Sequence, residues 1–469
     1  MKENNLSVSI FFNAFKTVVS LVFPLITFPY VSRILGVSVL GKISYYQSIV
    51  SYLTLIAGLG VTFYAVREGV KYKESKKEIS CFTSQIALLL SFSTIFSYLI
   101  LALFILLQYD NLDCKLLLIC SLEIFFTTYN FEWIYKIYED FKYISIRSMC
   151  FQCISVAAIF FMVHRSDDYY KYAMIVVTVN ISSAVINFLA GKRYFVLIKT
   201  EIKETFQHLK PILIIFGSTI ATTIYMNIDT VMLGYFKGDY DVGIYTVAVK
   251  LSHIIKMLFS SISGVVMSRL SFYVATKNNE AYYELLYKSF EIVFAFLIPS
   301  ILGIFLLAPE AITIISGDDY LLGVNASRVL YINTFFSLID TILYYQILIP
   351  FGKEKEAGMA TIVGAISNIM LNMFIINTFS YNGAALTTLI SEILVFIILC
   401  CCCNKLINVK RLFKSLVFYI SISMIIVPIW YFVEKLRINL GLKISVIIIT
   451  SAILYLLFVS KKIKLLFRM

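Results

Sequence analysis

The chain is built from uninterrupted apolar runs that are about as long as a bilayer is thick. A helix needs roughly 20 apolar residues to cross a membrane, whereas a strand of a membrane barrel needs about ten. The runs here are of the longer kind, and hydrophobic residues make up 60% of the 469 positions while charged residues make up 14%. This composition excludes a soluble domain and predicts an all-α polytopic membrane protein.

The sequence predicts about 14 transmembrane helices when each apolar run is given the length that a bilayer demands. Their predicted cores are 8–32, 43–65, 80–107, 115–135, 143–163, 171–190, 211–235, 243–268, 288–308, 321–349, 358–377, 383–403, 415–433 and 443–459. The first run contains a lysine and lacks a compact apolar region, so we expect no cleavable signal peptide.

Basic residues are distributed unevenly over the loops between these runs. With the N-terminus in the cytoplasm, roughly 26 Lys and Arg residues fall in inside segments and roughly 9 in outside loops. The opposite orientation would invert this ratio, so we predict that both termini are cytoplasmic. The net charge of +12 is explained by this placement, and no nucleic-acid partner is expected.

The first apolar run, Ser9–Gly36, places a cation within a membrane span. At 100° per residue, a narrow face of this helix presents Ser9, Asn13, Lys16, Ser20 and Thr27. A charge at the centre of a spanning helix costs about 3 kcal/mol, which a water-filled cavity or an anionic substrate would offset. The alternatives are an interfacial amphipathic helix and a lysine that is paired internally.

Two features divide the chain into related halves. The longest hydrophilic break, Gly191–Lys210, follows the sixth predicted span. A short pattern, Ile-Leu-Gly at 34–36 with Gly41 and Tyr45, recurs as Met-Leu-Gly at 232–234 with Gly243 and Tyr245. Related halves that face each other across a cleft are a common plan of transporters.

Several stretches resemble a known family of membrane transporters. They are PYVSRILG (29–36), YAVREG (64–69), FEWIYKIYEDFKYISIRS (131–148), YMNIDTVMLGYF with VGIYTVAVKL (225–251), and YYQILIPFGKEKE with VGAISNIMLNMFII (344–376). They occur in the family's order and cover most of the chain. The sequence therefore resembles the O-antigen and repeat-unit flippases, in the polysaccharide-transporter branch of the multidrug/oligosaccharidyl-lipid/polysaccharide exporter superfamily.

The resemblance implies a fold, a cargo and a location. It implies two pseudo-symmetric six-helix lobes around a central cavity, at 1–205 and 206–410, with two extra C-terminal helices at 411–469. The cargo would be an undecaprenyl-pyrophosphate-linked oligosaccharide, moved from the cytoplasmic to the periplasmic leaflet of the bacterial inner membrane. A polysaccharide polymerase and a chain-length regulator are the protein partners it suggests.

The cations within predicted spans are candidates for binding the anionic pyrophosphate. On the eighth span His253 and Lys256 share one face with Ser260 and Ser263, and Lys250 lies at its edge. Two arginines have structural alternatives, because Arg147 could snorkel from a helix end and Arg328 could pair within the bundle. The candidate substrate-binding residues are Lys16, Asn13, Arg147, Lys250, His253, Lys256 and Arg328.

Carboxylates within predicted spans are candidates for ion coupling or cavity lining, since a buried carboxyl group can act as a proton carrier. Asp229 lies in the family's span-seven motif and either lines the cavity or forms an internal ion pair. Glu132 could contact Arg147 or Lys136 instead of substrate. The candidates for coupling or lining are Asp229, Glu123 and Asp340.

The sequence contains no arrangement typical of an enzyme. Its three histidines, His164, His208 and His253, are far apart, and there is no metal-ligand spacing and no phosphate-binding glycine loop. We therefore expect no cofactor, no metal site and no enzymatic activity. Two alternatives to the flippase are a cation-coupled multidrug exporter of the same fold and a membrane polysaccharide polymerase. The short external loops argue against the polymerase.

Overall fold

The computed structural model of the chain describes residues 6–108, 112–404, 406–436 and 438–468. Within these ranges it does not describe the side chains of 6–18, 20–21, 218, 258, 260–265, 461 and 463–468. The described residues form helices joined by short connections, with no β-strand among them. Nine described helices are long and apolar enough to cross a membrane, or ten if one bent pair is counted as a span. The chain is thus an all-α, multi-pass membrane protein, and the count of fourteen spans stays a prediction.

The helices follow the predicted apolar runs in chain order. They are α1 (Leu6–Leu35), α2 (Val37–Gly58), α3 (Val61–Gly69), α4 (Lys76–Gln108), α5 (Cys114–Thr128), α6 (Glu132–Ile137), α7 (Phe141–Met162), α8 (Tyr169–Gly191), α9 (Ile202–Phe206), α10 (Leu209–Lys237), α11 (Asp239–Ala275), α12 (Asn279–Leu306), α13 (Ala308–Ile315), α14 (Val324–Ile342), α15 (Glu354–Cys403), α16 (Val409–Ser423), α17 (Ile426–Glu434) and α18 (Leu440–Arg468). A π-helical stretch, Leu343–Leu348, follows α14 directly.

Asp and Asn side chains begin several of these helices. Asp113, Asp140, Asn278 and Asn408 each accept a hydrogen bond from the backbone N–H three residues later. This is the ordinary N-cap arrangement, which satisfies a backbone donor that the first helical turn leaves unpaired. The caps explain why α5, α7, α12 and α16 begin at these positions.

The described chain falls into two compact units, Met1–Gly243 and Ile244–Met469. In the first unit α2 packs against α4, α5 and α10, α1 packs against α7, and α5 packs against α8. Its aromatic core includes Tyr64, Phe82, Phe131, Trp133 and Phe195. The sequence-based division at 205/206 and 410/411 stays a prediction.

In the second unit α14 packs along α15, and α12 contacts α14, α16, α17 and α18. Helix α15 includes two predicted spans, which meet at Ser380, where the backbone leaves the helical region with φ of 50°. The final helix is attached to α12 by the Tyr455 hydroxyl, which donates to the Ala295 carbonyl at 2.6 Å. The two C-terminal spans are therefore part of the second compact unit.

Candidate functional site

The predicted cationic residues of the eighth span lie together on α11. Lys250 and His253 have exposed side chains, and Lys256 is half-buried. Their spacing of three residues places neighbours on one side of a helix, and His253 interacts electrostatically with both lysines. The two serines predicted to share this face, Ser260 and Ser263, have side chains outside the described set. The arrangement concentrates positive charge on one side of an apolar helix.

A buried carboxylate faces this helix from α14. Asp340 is 7% exposed, and neither carboxylate oxygen has a hydrogen-bond partner among the described residues. Its charge interacts with Glu392 on α15 and with Lys256 on α11. The π-helical stretch Leu343–Leu348 begins three residues later, and such stretches occur frequently at functional sites. Asp340 therefore lies where charges from three helices meet.

Polar side chains of α15 extend this buried polar region. Asn368, Asn372, Thr387 and Ser391 are each 0% exposed. The Asn372 amide donates to the Asn368 side-chain oxygen at 3.1 Å, and the Thr387 hydroxyl donates to the Asn372 oxygen. These four residues are not among the site residues predicted from the sequence. The available signal was the four-residue spacing of two asparagines in an apolar run, which places them on one helix face.

Arg147 is held inside the first unit by protein groups. Its guanidinium donates to Glu132 Oε2 at 2.7 Å and to the side-chain oxygen of Asn187, and Arg147 is 7% exposed. Lys136 lies 3.4 Å from the other Glu132 oxygen. The structure thus contains the Glu132 contacts that were the alternative to substrate binding.

Arg328 makes its contacts within the second unit. Its Nε donates to the Phe305 carbonyl at 3.2 Å, and the guanidinium lies 5.4 Å from the centroid of the Phe305 ring. The side chain is half-buried. This cation–π geometry supports a packing role for Arg328 on α14.

The remaining candidates are in the first unit. Glu123 is half-buried, and its Oε1 accepts a hydrogen bond from the Asn180 amide at 3.0 Å, which links α5 to α8. Asp229 is 5% exposed on α10. Lys16 and Asn13 belong to α1, but their side chains lie outside the described residues. Among the predicted site residues with described side chains, one set forms the α11–α14 group: Lys250, His253, Lys256 and Asp340. The others interact with groups of their own unit: Arg147, Arg328, Glu123 and Asp229.

The described His, Cys, Asp and Glu side chains include no group of three that could hold a metal ion. All nine cysteines are free thiols. Within the described part of the chain, the chemistry available at the α11–α14 group is therefore charge pairing, hydrogen bonding and proton exchange.

An apolar groove of about 570 Å³ lies between α12, α13 and the C-terminal helices of the second unit. Its walls include Pro299, Gly303, Ile447 and Ser451. An ion pair is present near each end of α18: Lys443 contacts Glu310 at 3.1 Å, and Lys462 contacts Glu291 at 2.7 Å. The groove therefore runs along a helix that is attached at both ends.

Comparisons with known proteins agree with the resemblance seen in the sequence. Residues 8–274 match the family described as "Polysaccharide biosynthesis protein", and residues 215–374 match the family described as "MatE". A Shigella dysenteriae protein named "Putative O-antigen transporter" is 26% identical over 390 residues, which are 80% of this chain and 93% of that protein.

Solved structures share the fold at low sequence identity. One titled "Lipid II flippase MurJ, inward closed conformation" has a TM-score of 0.76 and 16% identity, over 97% of this chain and 99% of that one. An inward-facing multidrug resistance MATE family transporter has a TM-score of 0.56 and 15% identity, over 85% and 95%. The named relatives are transporters and flippases, in agreement with the prediction that the chain is not an enzyme. The chain belongs to the polysaccharide biosynthesis protein family, in the polysaccharide-transporter branch of the multidrug/oligosaccharidyl-lipid/polysaccharide exporter superfamily.

Proposed function

We propose that the protein is a flippase for a lipid-linked oligosaccharide used in O-antigen or other surface polysaccharide synthesis. Its cargo would be a repeat unit on undecaprenyl pyrophosphate, moved from the cytoplasmic to the periplasmic leaflet of the inner membrane by alternating access. The family membership, the name of the Shigella relative and the fold shared with a lipid II flippase support this proposal.

The observation that most favours this cargo is the cationic side of α11. Lys250 and His253 are exposed there and Lys256 is half-buried, within a helix whose flanking residues are apolar. Each charge in a span costs about 3 kcal/mol unless something offsets it, and a pyrophosphate would do so. We propose that these three residues contact the pyrophosphate, since charge-assisted hydrogen bonds to phosphate are strong.

The other predicted binding residues have different support. Lys16 and Asn13 stay proposals from the sequence alone. Arg147 and Arg328 would bind cargo only after exchanging contacts with Glu132 and Phe305, so we propose that they support the fold first. Glu123 and Asp229 are proposed as polar lining of the path.

We propose that Asp340 is the coupling carboxylate. It is buried without a hydrogen-bond partner among the described residues and interacts with both Lys256 and Glu392. Binding of an anion at Lys256 would remove a favourable partner of the ionised Asp340 and so favour its protonation. Proton uptake would thereby be linked to cargo binding.

The polyisoprenyl tail of such a cargo does not need a polar path. The groove between α12, α13 and α18 is apolar, and we propose that it lets the tail remain in a hydrocarbon environment. The glycan and the pyrophosphate would then use the polar path alone.

A cation-coupled multidrug exporter is the second candidate. Residues 215–374 match the MatE family, and the buried pair of Asp340 and Glu392 is the kind of site that an exporter of cations would use. The two lysines of the α11–α14 group argue against a cationic cargo, because like charges repel at short range. A polysaccharide polymerase is the least favoured reading, since the relatives are transporters.

A deletion strain separates these functions. Loss of a flippase should leave lipid-linked repeat units on the inner leaflet and no sugar units at the surface, whereas loss of a polymerase still exports one unit. The double variant K250Q/K256Q should restore surface polysaccharide at least tenfold less than the wild type, because charge-assisted contacts contribute about 1.5–3 kcal/mol each.

Two matched variants complete this test. K250R/K256R should retain partial function because the charges remain, and K277Q, which changes an exposed lysine after α11, should behave as the wild type. Single exported units in the deletion strain, or full function of K250Q/K256Q, would contradict the proposal.

The coupling of cargo movement to protons is tested separately, in proteoliposomes. An imposed proton gradient should accelerate cargo movement by the wild type and by D340E but not by D340N. If the gradient has no effect on the wild type, the coupling role of Asp340 is wrong while the flippase proposal stands.

A further inference from the structure

A second apolar groove lies in the first unit. Its volume is about 590 Å³, and its walls come from α4, α5, α8 and the extended segment 197–200. We call it the α4–α8 groove. Phe125, Val185 and Leu189 line it and are 45%, 44% and 54% exposed, so large apolar side chains form an open surface here. In a membrane protein such a surface faces hydrocarbon.

The hydroxyl groups along this groove are already hydrogen-bonded. The Tyr129 hydroxyl donates to Ser91 Oγ at 2.7 Å, and Ser91 donates to the Ala87 carbonyl at 2.9 Å. Ser84 donates to the Ser80 carbonyl at 2.8 Å. Because these hydroxyls already donate hydrogen bonds within the protein, the wall favours a hydrocarbon chain over a polar ligand.

One end of the groove is polar and basic. The segment 195–200 crosses it and is fixed to α4, because the backbone N–H of Val196 donates to Ser80 and that of Ile198 to Ser84, at 3.0 and 2.9 Å. Lys199 and Thr200 line this end, and neither side chain has a hydrogen bond or ion pair with another described residue. The described residues that line the groove include no acidic residue.

We propose that the α4–α8 groove binds an anionic phospholipid of the membrane, with an acyl chain between α4, α5 and α8 and the phosphodiester at Lys199 and Thr200. The charge pattern selects this occupant over the cargo. A single lysine matches the single charge of a phosphodiester, whereas a pyrophosphate carries more charge and would require further cations. The site is thus a structural lipid site rather than part of the transport path.

Trp133 provides a direct probe of this groove. It packs against Phe131, which lines the groove, with ring centroids 6.4 Å apart. In the full chain with W430F, Trp133 is the only tryptophan left. Phosphatidylglycerol with brominated acyl chains should quench its fluorescence at lower mole fraction than brominated phosphatidylcholine, in vesicles of otherwise equal composition.

Variants then assign the binding groups. K199Q should reduce the preference for phosphatidylglycerol about fivefold, which is the effect expected of one lysine near an anionic surface. K199R should retain the preference, and K203Q, on α9 and outside the groove, should leave it unchanged. A87F, which fills the groove, should reduce quenching by both lipids.

Three results would overturn the proposal. Equal quenching by the two lipids would show no selection of the headgroup charge. An unchanged preference in K199Q would place the anion elsewhere. Displacement of the brominated phosphatidylglycerol by undecaprenyl pyrophosphate at lower mole fraction than by unlabelled phosphatidylglycerol would assign the groove to a polyprenyl ligand instead.

Discussion

Arg147 is the residue at which a structural role and a binding role are most clearly distinguished. Its guanidinium is 6% exposed and pairs with a Glu132 carboxylate that is 22% exposed. Removal of one member of a buried ion pair leaves the other charge uncompensated, which costs about 3–5 kcal/mol. We expect R147Q to lower the thermal stability of the purified protein strongly.

Lys136 offers a matched control, because it contacts the same carboxylate from a position that is 36% exposed. K136Q should lower the free energy of unfolding by less than about 1 kcal/mol, because exposed ion pairs contribute little to stability. If R147Q keeps the unfolding temperature of the wild type but loses transport, Arg147 binds cargo and the structural account of it is wrong.

Asp113 holds together the start of α5 and two tyrosines of α8. Its carboxylate accepts hydrogen bonds from the Leu116 N–H and from the hydroxyls of Tyr169 and Tyr170, with Lys42 at 3.9 Å. Burial alone would raise the pKa of Asp113, but the hydrogen bonds and Lys42 outweigh it and hold the pKa below its usual value.

This lowered pKa predicts a pH-dependent contribution to stability. An unfolded Asp titrates near pH 4, so the contribution is complete above that pH and is lost as the pH falls through the lower folded pKa. D113N keeps an N-cap but loses the charge, and it should be less stable by about 2 kcal/mol at pH 7. The difference in stability between the two proteins should shrink as the pH falls below about 4; a difference at acidic pH that is as large as the difference at pH 7 would refute this role.

At the scale of elements, the two copies of the internal sequence pattern contact each other within the first unit. A Cβ atom on Gly41 of α2 would overlap the Asp239 carbonyl oxygen, and one on Gly243 of α11 would overlap the Val37 carbonyl oxygen. Gly234 lies against the ring of Tyr45. The repeated glycines are thus sites of close helix approach, as small residues are in membrane bundles.

Replacing a glycine at this contact should lower the stability of the protein more, the more closely the added Cβ approaches neighbouring atoms. G41A and G243A should each destabilise the protein by about 1–3 kcal/mol or more, because backbone atoms cannot yield as a flexible side chain can. G303A is the control, since no atom lies within 4 Å of the added Cβ and alanine favours a helix by about 1 kcal/mol. Equal unfolding temperatures for G41A and G303A would contradict the close contact.

The apolar runs predicted the helices well but not their interruptions. One predicted span, 43–65, is broken at Leu59, and another, 115–135, is broken near Phe131; both residues have positive φ, of 47° and 51°. Hydropathy contains no term for backbone conformation, and positive φ at such residues is rare. The sequence signal at the first break was the pair of glycines beside Leu59, Gly58 and Gly60, of which Gly60 also has positive φ. The meeting of Asp340 with Lys256 and Glu392 depends on tertiary packing of α11, α14 and α15, which periodicity within one helix cannot supply.

At the scale of the whole molecule, the predicted orientation rests on the distribution of basic residues. The segments around Lys71, Lys203 and Lys410 should be cytoplasmic, and the segment 238–241 should be external. Cysteine variants at these positions can be labelled with an impermeant thiol reagent in intact cells, after the native cysteines have been replaced. Labelling of K203C without permeabilisation would show that the orientation is wrong.

In the proposed function the protein moves a lipid-linked oligosaccharide between leaflets. The most direct test of this function uses liposomes that contain the purified protein and an undecaprenyl-pyrophosphate-linked repeat unit, with an impermeant glycosidase added outside. In protein-free liposomes only the outer-leaflet glycan should be cleaved. We predict that the wild type and K277Q make the inner-leaflet glycan accessible too, and that K250Q/K256Q does so at least tenfold more slowly. Cleavage that stops at the outer leaflet with the folded wild-type protein present would contradict this function.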